Sequence, residues 1–110
     1  MMAGNENLLD TLRAWTDENE LTLAARGLAL TLTAAPADRP KPALWLAIDS
    51  EDAVGQLTIW ASGEAELECA AVATGEARRE HRDSGSPAET RAAAAALVAW
   101  IEGMAGNTAR

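Results

Sequence analysis

The spacing of apolar residues changes period along this chain. Near the start, Leu8, Leu12 and Trp15 recur at i, i+4 and i+7 with Leu9 beside them, the stripe of an amphipathic helix. Asn5 or Asn7 is placed to cap it, and Glu6 and Asp10 suit the positive end of a helix dipole. The stripe weakens over residues 16–19, so a second helical piece or a continuation is expected over about 17–26, stopped by Gly27. From Leu28 the period falls to two. Residues 28–34, LALTLTA, alternate Leu with Ala or Thr and predict a half-buried strand. The next stretch, APADRPKP, carries three prolines and reads as a loop.

Three further alternating segments follow. In 43–49, ALWLAID, the residues Leu44, Leu46 and Ile48 share one face, and Ala43, Trp45, Ala47 and Asp49 share the other. After a polar turn, SEDAVG, the segment QLTIWA sets Leu57, Ile59 and Ala61 against Gln56, Thr58 and Trp60. Ser62-Gly63 is a hairpin signal. In EAELECAAV, Ala65, Leu67, Cys69 and Ala71 point inward while Glu64, Glu66, Glu68 and Ala70 point outward. Thr74-Gly75 marks another turn, and EARREHRD reads as a polar edge strand whose charges discourage aggregation. The last helix opens on Ser86-Pro87-Ala88-Glu89, a capping box with Pro at the first helical position. Its predicted buried stripe is Ala93, Leu97, Trp100, Ile101 and Met104, it ends near Gly103, and 104–110 is expected to fray.

The order is therefore helix, a four- or five-stranded antiparallel meander, helix. Each helix has one apolar stripe, and the Leu/Ile face of the sheet needs cover. The predicted fold is α+β, a two-layer sandwich with both helices on one sheet face and the other face open. The length of 110 residues fits a single domain over 1–110. Alanine fills 26 positions and Phe and Tyr are absent, so the core must rest on Leu, Ile, Val, Met and four Trp.

Charge changes the picture of the open face. The formal net charge is −8, which disfavours nucleic acid and anionic membranes as direct partners and favours a basic protein. Between Pro42 and Ala77 stand seven acids, Asp49, Glu51, Asp52, Glu64, Glu66, Glu68 and Glu76, with no Lys or Arg among them. Glutamates at every second position of a strand share a face, and each like-charge pair about 7 Å apart costs roughly 0.5 kcal/mol even in water. Alternation puts them beside Trp45 and Trp60, residues of a type enriched at interface hot spots. The expected partner-binding surface is Trp45, Asp49, Glu51, Asp52, Thr58, Trp60, Glu64, Glu66 and Glu68. On the competing reading, Trp45 or Trp60 packs under the proline loop, and Arg78 or Arg82 on the next strand pairs with the glutamates of a solvated face.

Residues for chemistry are sparse. His81 is the sole histidine and Cys69 the sole cysteine, which leaves no zinc set and no internal disulfide. GEAELE lacks the spacing of a calcium loop, and TGEARR lacks the GK[ST] of a phosphate loop. Carboxylates on an open strand have no cleft to split their pKa values. Neither an enzyme nor a cofactor is expected. There is no signal peptide pattern and no long apolar run, so a cytoplasmic location is the default expectation.

The segment GQLTIWASGEAELECAAVATGE, then a charged strand, then SPAETRAAAAALVAWI, resembles the small immunity proteins of bacterial polymorphic and contact-dependent toxin systems, and among them the TriTu-type family. The resemblance rests on Trp60, the Gly63-Glu64-Ala65-Glu66 hairpin, the Thr74-Gly75-Glu76 turn and the closing amphipathic helix. It implies a protein that binds and neutralises one cognate toxin, commonly a nuclease, from the cytoplasmic side. A monomer or weak dimer is expected. A small acidic secretion chaperone, or a minor enzyme or ligand carrier, are the alternatives from other classes.

Overall fold

Two helices flank five strands in the order α1 (Gly4–Ala25), β1 (Ala29–Ala34), β2 (Ala43–Asp49), β3 (Ala53–Trp60), β4 (Glu64–Ala71), β5 (Ala77–Asp83) and α2 (Pro87–Thr108). The computed structural model describes residues 4–35 and 42–108, with side chains over 8–35 and 42–104. The strands form one antiparallel sheet in sequence order, β1-β2-β3-β4-β5. Helix α1 packs on β1 and on α2, and α2 lies over β3 and β4. This is the expected α+β sandwich, with the meander at five strands. The proline-rich loop lies largely outside the described residues, and with it the expectation that a Trp packs beneath it.

α1 is one continuous helix, although its stripe weakens in the middle. Thr16 Oγ1 donates to the Leu12 carbonyl at 2.8 Å, and Asn19 Nδ2 donates to the Trp15 carbonyl at 2.8 Å. These polar side chains bond back one turn, so they interrupt the apolar pattern without interrupting the helix. The helix is already formed at Gly4, upstream of both asparagines suggested as caps. Its end is a Schellman motif: Gly27 N–H bonds the Ala24 carbonyl at 3.0 Å and Leu28 N–H bonds the Leu23 carbonyl at 2.9 Å. Gly27 adopts φ 87°, a conformation costly for other residues. Leu23 and Leu28, which flank the motif, are both buried.

The inner sheet face follows the alternation. Leu44, Leu46, Ile48, Leu57, Ile59, Ala65 and Leu67 are almost wholly buried against Leu8, Leu12, Leu97 and Ile101. Burying each large side chain stabilises the fold by about 1.5–3 kcal/mol before entropy is counted. β3 begins at Ala53, earlier than its apolar residues suggest. Its first inward positions are Ala53 and Gly55, and a Cβ on Gly55 would stand 2.7 Å from Ile101 Cδ1 and 3.0 Å from Leu97 Cδ1. Small residues there let α2 sit close to the sheet, so the strand continues where its hydrophobic signal fades. The turn between β2 and β3 is correspondingly short. Ser50 Oγ accepts from Ala53 N–H at 3.1 Å and donates to the Ala53 carbonyl at 3.0 Å.

The capping box at α2 is formed: Glu89 N–H donates to Ser86 Oγ at 3.1 Å, and Ser86 Oγ bonds Glu89 Oε1 at 3.2 Å. The helix continues past Gly103 to Thr108. The expected fraying over 104–110 falls partly on residues outside those described. Exposed pairs join the helices, with Arg91 forking onto Glu18 at 2.9 and 3.2 Å and Arg26 bonding Glu102. No helix among the described residues is long and apolar enough to cross a membrane.

Candidate functional site

Strand register turns the open face into cross-strand rows. One row runs Thr33, Trp45, Thr58, Glu66, His81 from β1 to β5. The next runs Thr31, Ala47, Gln56, Glu68, Arg79, and beyond it Ala29, Asp49, Val54, Ala70, Ala77. Trp60 pairs with Ala43 at the other end, which makes it the diagonal neighbour of Trp45 rather than its direct partner. Glu51 and Asp52 occupy the β2–β3 turn and are exposed, as is Asp49 at the end of β2. The sequence-based surface is therefore divided: Trp45, Trp60, Glu64 and Glu66 sit toward one end, Asp49, Glu51 and Asp52 at the other.

Burial refines the picture at three of these residues. Thr58 is 6% exposed, because it lies on the central strand between Trp45 and Glu66. Its side chain is buried beneath the surface that its neighbours form. Trp45 and Trp60, on the open face as expected, are half-buried.

The acidic ladder is also partly neutralised, by residues other than Arg78 and Arg82. Glu66 Oε2 stands 2.8 Å from His81 Nδ1, and Glu68 Oε1 accepts from Arg79 at 3.3 Å. Residues 79, 81 and 83 of β5 share the open face, whereas 78, 80 and 82 share the helix side. On that side the Arg78 guanidinium lies 3.8 Å from the centre of the Trp100 ring, a cation–π contact that covers the edge of α2. Arg82 bonds Glu80 along its own strand. The hydrogen bond from Glu66, aided by the nearby charges of Glu66, Asp83 and Glu64, raises the His81 pKa against a smaller opposing desolvation.

Asp49, Glu51 and Asp52 have no cationic partner among the described residues. Beside Asp49 the open face dips into a shallow trough of about 570 Å³. Ala47, Ala70 and Ala77 give it a low floor, and Asp49, Val54, Glu68 and Arg79 rise around it. Val54 is 41% exposed, an apolar side chain at the rim. Sequence reading missed this trough because its signal is the shortness of three alanines on neighbouring strands, which only the register brings together.

Few groups on this surface or beneath it are placed for chemistry. Among the described residues no three of His, Cys, Asp and Glu gather where they could hold a metal ion. Cys69 is buried with Sγ 3.7 Å from Met104 Sδ, and desolvation pushes its thiol pKa up against a smaller effect of Arg78, which keeps it protonated and inert. Ser84 is buried beside the β5–α2 junction, its N–H bonding the Gly63 carbonyl and its carbonyl accepting from Thr90 Oγ1 at 3.3 Å. It is structural, and no base orients it.

A family model described as "Immunity protein TriTu" matches residues 10–100 of the chain. No curated protein and no solved structure matches it. The match spans the whole sheet and most of both helices, so the chain belongs to the TriTu immunity protein family and has a toxin immunity role.

Proposed function

We propose that this TriTu family member neutralises one cognate toxin by docking its open sheet face on it, in a one-to-one complex formed in the cytoplasm. The observation that carries this reading is the face itself: five strands of recognition chemistry left uncovered in a protein whose family role is immunity. Trp45 and Trp60 are the apolar anchors, and the trough beside Asp49 receives a protruding side chain of the partner. The role is binding rather than catalysis.

The toxin's surface is basic on this reading. Asp49, Glu51 and Asp52 supply uncompensated negative charge, which steers a basic partner and speeds association. A nuclease toxin has such a surface where it holds phosphates, and carboxylates can occupy it in place of substrate. Such a toxin would belong to the polymorphic or contact-dependent systems of bacteria.

The test is inhibition of the toxin encoded next to this chain's gene. Equimolar protein should abolish cleavage of nucleic acid. Trp45→Ala and Trp60→Ala should each weaken binding by about tenfold or more, the cost of losing a hot-spot aromatic. Unaltered inhibition by both variants places the interface elsewhere. A toxin that is inhibited but cleaves no nucleic acid removes the nuclease assignment alone.

A further inference from the structure

The two edges of the sheet are built differently. β5 reads ARREHRD, and its charges guard it against pairing with another chain. β1 reads ALTLTA, with no charge and no proline. Its free backbone groups follow from the ladder. Ala35 N–H donates to the Ala43 carbonyl at 3.0 Å. Bonded and non-bonded pairs alternate in an antiparallel ladder, so Thr33 with Trp45, Thr31 with Ala47 and Ala29 with Asp49 are the bonded pairs. Leu30, Leu32 and Ala34 therefore direct their N–H and C=O groups away from β2. The other side of β2 agrees: Ser50 N–H bonds the Ala53 carbonyl at 2.9 Å, which turns the backbone groups of Leu44, Leu46 and Ile48 toward β3.

The open edge runs beside the uncompensated acids. Asp49 stands next to Ala29 across the register, and Trp45 next to Thr33. A strand added outside β1 would lie about 4.8 Å from it, and only the short Ala29 side chain would separate that strand from Asp49.

We propose that β1 accepts an extended segment of the cognate toxin as a sixth strand. The segment bonds the outward backbone groups of Leu30, Leu32 and Ala34, and a Lys or Arg on it reaches over Ala29 to Asp49. Backbone pairing gives the affinity and that cation sets the register. The proposal rests on the immunity reading and adds to it how the toxin is held. Charge selects the occupant: a second copy of this chain brings its own net charge of −8 to the same acids, whereas a basic segment is attracted to them.

Amide exchange followed by NMR tests it, on the labelled chain alone and bound to an inactivated form of the toxin. Alone, the amides of Leu30, Leu32 and Ala34 should exchange fast and those of Thr31 and Thr33 slowly. In the complex the three outward amides should slow by about a hundredfold or more, as bonded strand amides do. Ala34→Pro removes one outward N–H and leaves the bonds to β2 intact, and should weaken toxin binding about tenfold, the loss expected for a charge-free backbone hydrogen bond in a dry interface. Inhibition with no slowing of the three amides, or Ala34→Pro binding like the parent, overturns the sixth strand and leaves the immunity reading standing. Slow outward amides in the isolated chain that depend on its concentration assign the edge to a second copy instead. Failure of the toxin to bind at all overturns both readings.

Discussion

The two faces of this sheet share five strands and differ in almost everything else. On the inner face, each position is decided by burial: Leu44, Leu46, Leu57, Ile59 and Leu67 have no solvent exposure worth counting, and the helices press on them. On the open face, each position is decided by its neighbour across the register. Glu66 meets His81 and Glu68 meets Arg79, while Asp49 has only Ala29 and Val54 opposite it. The inner face is a matter of area removed from water. The outer face is a matter of charge pairing, which is weak in solvent. Stability thus belongs to one side of a single layer of backbone, and on the proposed reading recognition belongs to the other.

The sharpest way to break that comparison is to mutate one residue of each face on neighbouring strands. Leu57→Ala should destabilise the fold by about 2–5 kcal/mol in urea unfolding, because it leaves a cavity under α2. If it weakened toxin binding without lowering stability, the assignment of the inner face to folding would be wrong. Away from both faces, Ser86→Ala should cost about 1 kcal/mol by removal of the α2 cap, with inhibition unchanged. On the open face, Glu68→Gln should alter stability by less than about 1 kcal/mol, since exposed ion pairs contribute little, while slowing association with the toxin. Added salt should reproduce the slowing.

The smallest effect belongs to His81. Its folded pKa is raised by the Glu66 hydrogen bond, so its contribution to stability is complete below the unfolded value near 6.5 and is lost as pH rises through the raised folded value. His81→Gln should therefore narrow the difference between stability at pH 6 and at pH 8. Above that titration the neutral imidazole no longer offsets the carboxylate beside it, and association with a basic toxin should quicken. An NMR titration of the ring that gives an ordinary or lowered pKa would remove the pair from the open face.

Much of the fold is legible in the residues. Alternation places Leu44, Leu46, Ile48, Leu57, Ile59, Leu67 and Cys69 inward, and Ser86 with Glu89 marks the start of α2. The failures have physical causes. Residues 16–19 look like a break because polarity was read as exposure, whereas Thr16 is buried and bonded back to Leu12. Residues 53–55 look like a turn because small inward residues carry no hydrophobic signal, although Gly55 is where α2 comes closest. Trp45 and Trp60 were assigned to the correct face, and their half-burial depends on neighbours that alternation cannot supply. The trough was invisible for the same reason.

The sequence by itself determined which side of each strand faces the core, because side-chain direction has a period of two and burial rewards one parity only. It also determined the acidity of the molecule and the capped start of its last helix. Only the tertiary structure decided which charges meet. Glu66 and His81 are fifteen residues apart, and a shift of β5 by one residue would exchange His81 and Arg79 for Arg78, Glu80 and Arg82 on the open face. That register depends on the turns and the packing of α2, so only the tertiary structure shows that Glu66 and Glu68 meet cations while Asp49, Glu51 and Asp52 meet none among the described residues.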